Sequence, residues 1–446
     1  MELPFQICEI LERIGNAGYR AFVVGGCVRD HLMGMTPHDF DITTSATPRE
    51  TENIFADCRV IETGIKHGTV TLLYKGLSTE ITTFRVDGAY TDGRHPDSVS
   101  FSRNIEDDLS SRDFTMNGIA YNPKIGYVDP FGGKEDIDRG IIRCIGDPDK
   151  RFGEDALRVL RALRFSATLG FPIAEETAEA IRAHKRDLRK VSVERIFAEL
   201  KRLLCGKDVR RTLTEYPEVF AVIIPPLGEM IGYGQGSKYH DSTLYEHTVR
   251  AVEAAPDRID MRLAMLLHDI GKPACRSEDE NGECHYYGHA ELSARMSDGI
   301  LRVLKCDNVL RERVCKIVHY HDIPVETSRK YIRRQLAKHG AELFADIMEA
   351  HIADDSAKHD FCRDRIPKVR EALAIAAEIA EEKPCFSVKM LDISGNDLKE
   401  LLPPSPLMGE VLSKLFGEVV DEKLPNEKSA LLKRASEIVD GLKNLK

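Results

Sequence analysis

The chain has no CxxC pair and no metal-type cysteine spacing. That excludes the common thiolate zinc sites and the dithiol redox motif. Its 11 cysteines are scattered and odd in number, the usage expected of reduced thiols in a cytosol, most of them small buried hydrophobes. No apolar run is long enough to cross a bilayer. The longest, VFAVIIPPLGEMIG, is broken by Pro225 and Pro226. Signal-peptide patterning, low-complexity tracts and internal repeats are also missing. The expectation is a cytoplasmic protein with no membrane partner. Basic residues are the minority: 63 Lys and Arg against 73 Asp and Glu, a net charge of −10. This argues against bulk, nonspecific nucleic-acid binding but leaves room for a local basic groove. Residues 182–211 offer one, with Arg182, Lys185, Arg186, Arg189, Lys190, Arg195, Lys201, Arg202, Lys207, Arg210 and Arg211 outweighing four acids. Such a run is either a solvated helix face or a phosphate-tracking surface.

What is present is organised in two parts. At 446 residues the chain exceeds one ordinary core, so two to four domains are expected. The first third is mixed. AFVVGG reads as a strand ending in a turn, CVRDHLMG as a helix opening after the glycines, and DFDIT, GTVTLLYKG and STEITTFRV as strands. TPRETENIFA has helix-start chemistry, and VDGAYTDGRHPDSVSF reads as a polar loop. Beyond about residue 145 strand signals nearly vanish and helix follows helix.

The most informative stretch is DFDI. Asp is disfavoured in strands, so Asp39 and Asp41, separated by one apolar residue, call for a reason. On a strand they would project together while Phe40 and Ile42 face the core. Paired carboxylates on one edge suit Mg²⁺ in phosphoryl or nucleotidyl transfer; a polar turn capping the next helix is the plain alternative. Gly25 and Gly26 stand where a strand hands over to a helix, a place where backbone N–H groups can approach a phosphate. Arg29 could pair a phosphate bidentately, or be held by Asp30. Glu80, on a neighbouring strand, is a candidate third carboxylate for activating an attacking hydroxyl. SRDFTMN offers Arg112 for phosphates, with Asp113 and Asn117 either holding a ribose or stabilising a loop.

In GEDALRVLRALRF, Gly153 reads as a helix start, and Leu157, Leu160 and Leu163 bury one face. Asp155 and Arg158, three apart, are neighbours on a helix surface, where an intrahelical salt bridge would contribute about 0.2–0.5 kcal/mol. The functional alternative is base recognition. A carboxylate accepts from an exocyclic amine while a guanidinium donates to the adjacent ring nitrogen. Adenine and cytosine both present that pattern; uracil and guanine reverse it. Arg161 and Arg164 continue the basic edge toward phosphates or a primer end.

GGCVRDHLMGMTPHDFDI, RVDGAYTDGRHPDSVSF, DLSSRDFTMNGIAYNP, DPFGG and RFGEDALRVLRALRFSATLGF, in that order, resemble the motifs of the bacterial class II tRNA nucleotidyltransferases, the CCA-adding enzymes of the polymerase-β-like superfamily. The resemblance covers residues 20–205. It implies an α+β head with a small mixed or antiparallel sheet, then an all-α neck, body and tail, with divisions at 1–142, 143–208, 209–372 and 373–446. It also implies Mg²⁺ on Asp39 and Asp41, templating of CTP and ATP by the Asp155–Arg158 motif, and ribose and triphosphate contacts from the Arg112 motif. The family's version of that last motif usually begins with two arginines; here Ser111 precedes Arg112. The DGAYTDGRHPD segment, missing from CC-adding relatives, favours adding the final A. Template-independent addition of C, C and A to the tRNA acceptor arm is the expected activity. A poly(A) polymerase or A-adding enzyme is the same-fold rival, and a noncatalytic RNA-binding protein a more distant one.

A second constellation lies in the helical half. LAMLLHDIGKP places His268 and Asp269 at the end of an apolar helical run, a plausible shared metal site that His247 and Asp354 could complete. His289 and His321 could hold a second ion, with His319 competing with His321. Neutral imidazole plus carboxylate suits Mn, Fe, Co or Ni as well as Zn. The order H…HD…H…H…D resembles the HD-domain metal-dependent phosphohydrolases, which implies a second divalent metal. Hydrolysis of RNA ends or nucleotides is then an alternative activity of a different class.

Overall fold

The computed structural model describes residues 1–37, 39–65, 68–88, 99–236, 239, 241–382 and 385–443. The chain divides into two compact units, Met1–Gly228 and Glu229–Lys446.

The first unit is built on a seven-stranded mixed sheet. Its strands are β1 (Ala21–Val24), β2 (Asp41–Thr44), β3 (Arg59–Gly64), β4 (Thr69–Tyr74) and β5 (Leu77–Thr83); a separate ribbon is formed by β6 (Arg85–Asp87) and β7 (Val99–Phe101), and β8 (Ala120–Asn122) and β9 (Gly126–Val128) complete the sheet. The order is β3-β4-β5-β2-β1-β8-β9. Only the β2–β5 pair is parallel; the other pairs run antiparallel. β1 is central and buried along its whole length, which is why AFVV is apolar without alternation. β4, half-buried, alternates as its position demands. The helix Pro48–Ile54 begins at a capping box, Thr47 and Glu50 satisfying each other's backbone N–H.

Two readings need correction. Gly153 does not start a helix: it lies inside the helix Pro148–Glu154, and a second helix runs Leu157–Leu169. The break falls at Asp155, whose backbone is extended and whose carboxylate accepts the Leu157 N–H at 3.0 Å. A short acidic side chain competes for an N–H that the first turn leaves unsatisfied. The polar segment after residue 84 is not loop throughout, since its two ends pair as β6 and β7. Residues 89–98, most of the DGAYTDGRHPD segment, lie outside the described residues.

The described residues of the second unit are mainly helical, with a hairpin of two-residue strands, Ser277–Glu278 and Cys284–His285. Five of its helices, Leu244–Ala254, Ile259–Leu267, His289–Val303, Asn308–Tyr320 and Ala341–Ala357, carry or border the candidate ligands. In Ile259–Leu267 the residues Asp260 to Leu267 are buried, the position of an interior helix, with Asp260 and Arg262 as its buried charges. One apolar core joins Ile332, Phe344, Ile347 and Val369, and another joins Leu398, Val411, Leu415, Leu431 and Val439. No helix among the described residues is long and apolar enough to cross a membrane.

Candidate active site

The β1–β2 register sets the first site. Val24 pairs with Asp41, so Asp41 begins its strand beside the point where β1 enters the Gly25–Gly26 turn. Asp39 and Asp41 are exposed while Phe40 and Ile42 are buried, the alternation of a chain already extended before its first ladder bond. Ile42 pairs with Ile81 in the parallel ladder, which brings Glu80, one residue earlier on β5, alongside Asp41. Gly25 has φ +76° and ψ −131°, a region essentially restricted to glycine. A Cβ there would also stand 3.0 Å from Arg112 Nη1.

Gly25, Gly26, Asp41, Glu80 and Arg112 wall a cavity of about 630 Å³ that also receives Arg29, Asp113, Asn117, Asp155, Arg158, Arg161, Arg164 and Arg195. The cations are held in place. Arg29 bonds Asp30 Oδ1 (2.9 and 2.6 Å) and donates to Asn117 Oδ1 at 2.9 Å. Arg161 pairs with Asp113 Oδ2 at 2.6 Å, and Arg164 with Glu199 Oε2 at 2.7 Å. Arg29, Arg161 and Arg164 surround the Phe165 ring, at 5.1, 5.7 and 3.6 Å from its centroid, within cation–π range.

Charge in the cavity is unevenly compensated. Surrounding protein raises the Asp41 carboxyl above its ordinary range; Arg112 opposes this and the charge of Asp39 adds to it. Two neighbouring carboxylates that repel are a fitting seat for a divalent cation. Burial alone would raise Asp113, but Arg161, Asn117 and Arg158 bring it down to about 2. An unfolded Asp titrates near 3.9. The stability this difference supplies, on the order of 2 kcal/mol, is fully present above the unfolded value and lost as pH falls through the folded one. Asp113→Asn is therefore expected to flatten the acid limb of urea unfolding measured from about pH 6 down to about 2.5; wild-type and variant curves that run parallel would contradict it.

In the second unit, His247, His268, Asp269 and Asp354 form one buried group, and Asp269, His289 and His321 another. His247 Nε2 lies 3.1 Å from Asp354 Oδ1 and 3.3 Å from His268 Nε2. Asp269 stands between the groups, Oδ2 being 3.1 Å from His268 Nε2 and Oδ1 3.4 Å from His289 Nε2. Nδ1 of His268, His289 and His321 each meets a backbone carbonyl, of Met265, Tyr286 and Val318, at 2.6–2.8 Å. That bond assigns the Nδ1 proton and turns Nε2 inward, where it offers a lone pair whenever the ring is neutral. Burial works against a charged imidazole, yet Asp269 and Asp354 outweigh it and raise His268 to about 9. Burial and the charge of His268 lower His321 to about 3. Asp269 Oδ1 is buried and accepts no hydrogen bond among the described residues. The donor set of imidazole nitrogens and carboxylate oxygens suits a divalent transition metal.

Comparison with known proteins places this geometry. A profile described as the poly A polymerase head domain matches residues 21–143, one named for the RNA- and SrmB-binding site of polymerase A matches 170–218, and one named for tRNA nucleotidyltransferase domain 2 matches 288–435. The CCA-adding enzyme of Staphylococcus haemolyticus is 33% identical over 445 residues, covering 98% of this chain and 99% of that one. The CCA-adding enzyme of Ligilactobacillus salivarius is 30% identical over 439 residues, covering 97% and 96%. The chain belongs to the CCA-adding enzyme family. The crystal structure of the Bacillus stearothermophilus CCA-adding enzyme in complex with CTP superposes with a TM-score of 0.73 at 30% identity, covering 100% of each chain. As a member of that family the chain is a tRNA nucleotidyltransferase, with the mixed-sheet head and helical continuation read from its sequence.

Within the chain the head residues singled out from sequence fall around one cavity, with Asp39 two residues from its lining residue Asp41. The acid of the Asp155 motif takes a partner from another helix. Asp155 Oδ2 meets Arg195 Nη2 at 2.7 Å, while Arg158 donates to Glu154 Oε2 at 2.7 Å and to the Ser111 carbonyl at 3.2 Å. Arg195 was visible only as one basic residue in a run. Its sole sequence signal is a place on the strongly amphipathic helix Val193–Leu204, one turn from Glu199. Of the two competing histidines, His321 joins the cluster, whereas His319 packs on Tyr320.

Proposed function

We propose that this chain completes the 3′ end of tRNA, adding C, C and A from CTP and ATP without a nucleic-acid template. The observation that carries the reading is the head cavity, where Asp41 and Glu80, a glycine turn and a wall of arginines line one space. Asp39 and Asp41 would hold Mg²⁺, which when bound supplies charge stabilisation at the phosphates and a more acidic 3′-hydroxyl. Glu80 accepts a proton from the attacking hydroxyl. The Gly25–Gly26 backbone, Arg29, Arg112, Arg161 and Arg164 cradle the triphosphate and steady the departing pyrophosphate. Asp113 and Asn117 hold Arg161 and Arg29 in position. Asp155 accepts from the exocyclic amine of cytosine or adenine, and Arg158 donates to the neighbouring ring nitrogen. The neck, body and tail, with the basic residues 182–211, grip the acceptor arm by shape and phosphates, following the division 1–142, 143–208, 209–372 and 373–446. Incubating the protein with tRNA ending at the discriminator base, Mg²⁺, CTP and ATP, then sequencing the product, is expected to return CCA. A run of A from ATP alone would instead indicate a poly(A) polymerase.

A second reading is favoured by the buried cluster. We infer that the helical unit is an HD-type metal centre, His247, His268, Asp269 and Asp354 holding one divalent ion and Asp269, His289 and His321 another. Mn, Fe, Co, Ni or Zn bound there would activate water for phosphoester hydrolysis. The protein's own part is to present Nε2 lone pairs and carboxylates in fixed orientation and to open them on one side to a cavity of about 670 Å³.

A further inference from the structure

The two carboxylates of the helical cluster already meet ammonium groups of their own chain. Lys272 Nζ lies 2.7 Å from Asp269 Oδ2, and Lys358 Nζ 2.5 Å from Asp354 Oδ2. Leaving the imidazoles aside, two buried acids are matched by two buried or half-buried ammoniums, so the floor of the site is balanced before any ion enters. Divalent ions arriving there meet carboxylates whose charge is spoken for, and like-charge repulsion at these distances is large in a buried setting. An anion entering with the ions would remove that repulsion.

The two lysines are not equivalent. Lys272 is 6% exposed, sits in the tight turn Lys272–Cys275, and also donates to Gln235 Oε1 at 3.3 Å. Lys358 is the first residue past the helix Ala341–Ala357, where the backbone turns extended, and it lines the cavity together with Arg365. Its flexible stem can swing the ammonium from Asp354 into the cavity with no backbone change. Asp355 lies 3.7 Å from the Lys358 ammonium, Glu283 and Asp322 stand on the cavity wall, and Arg365 is its neighbouring cation there. The other oxygen of Asp354, Oδ1, faces His247 and His268, so releasing Lys358 restores full charge to a ligand already aimed at the ion.

We propose that Lys358 makes metal loading of the helical unit conditional on a phosphate-bearing anion: without the anion its ammonium neutralises Asp354, and with it the ammonium turns to the anion and gives Asp354 up to the metal. This rests on the metal-centre reading above. By linkage, phosphate must then tighten metal binding by the factor that metal tightens phosphate binding.

The test is Mn²⁺ binding to the full chain by equilibrium dialysis, with and without inorganic phosphate below its precipitation limit. The ions counted are those that Asp269→Ala loses, which removes any Mn²⁺ held in the head from the comparison. For wild type, phosphate is expected to tighten these ions by at least about tenfold. Lys358→Met should bind them at least about tenfold more tightly than wild type without phosphate, and gain under about threefold from adding it. Lys358→Arg, which keeps the charge, should behave as wild type and controls for lost packing. A wild-type affinity indifferent to phosphate, or a Lys358→Met protein that binds no more tightly, would overturn the proposal. If Asp269→Ala loses no Mn²⁺ at all, the metal-centre reading itself fails first.

Discussion

Asp39→Ala and Asp41→Asn are each expected to reduce CMP and AMP incorporation into tRNA by at least about 10³-fold while leaving the fold intact. Removing one charge-stabilising element of a nucleotidyl-transfer site costs roughly 4 kcal/mol of transition-state stabilisation, and a factor of ten in rate corresponds to about 1.4 kcal/mol. Stability should move the other way. The Asp41 carboxyl is raised first by the protein around it and further by Asp39, so the ionised form is penalised in the folded state. Asp41→Asn relieves both effects and should leave the midpoint of thermal unfolding unchanged or slightly higher. Single-turnover incorporation of labelled CTP, alongside a melting curve, separates the two quantities. Wild-type incorporation by either variant would remove the acids from the reaction centre.

Asp155→Ala is expected to blur base choice. A site built to pair a hydrogen-bonding group rejects analogues because its own polar groups would be left unmatched, and one such group is worth about 1–3 kcal/mol, or roughly 10–10² in selectivity. Supplying all four nucleotides in competition and sequencing the products should show U and G entering beside C and A. An unchanged spectrum would take the templating role from Asp155. The measurement has to include Arg195→Met. Arg195 bridges both Asp155 oxygens at 2.7 and 3.4 Å, and losing the acid leaves that guanidinium without its partner. If Arg195 acts only by orienting Asp155, the double variant should select no worse than Asp155→Ala alone.

Legibility from sequence followed the range of the interactions. The head's strands could be read because burial imposes a period of two on β4 and an unbroken apolar run on β1. The capping box at Thr47 and Glu50 is local in chain and in space. The six histidine and aspartate residues of the helical cluster were recognisable because such side chains are costly to bury, so their recurrence among apolar helices needed an explanation. The same reasoning misplaced the helix start at Gly153. Periodicity of the following leucines was real, but the helix opens where the Asp155 carboxylate takes the Leu157 N–H, and that bond depends on backbone geometry that an apolar pattern does not encode.

By itself, the order of residues determined the mixed head, the helical remainder, the paired acids beside a glycine turn, and the set of imidazoles and carboxylates able to meet a metal. These depend on burial and backbone preference, which act over a few residues. The tertiary structure decided which charges face each other: Asp155 against Arg195, Asp113 against Arg161, Asp354 against Lys358. A carboxylate takes whichever cation folding delivers to it. Two of those three partners lie 40 and 48 residues away along the chain, where packing of helices and not sequence spacing sets the distance.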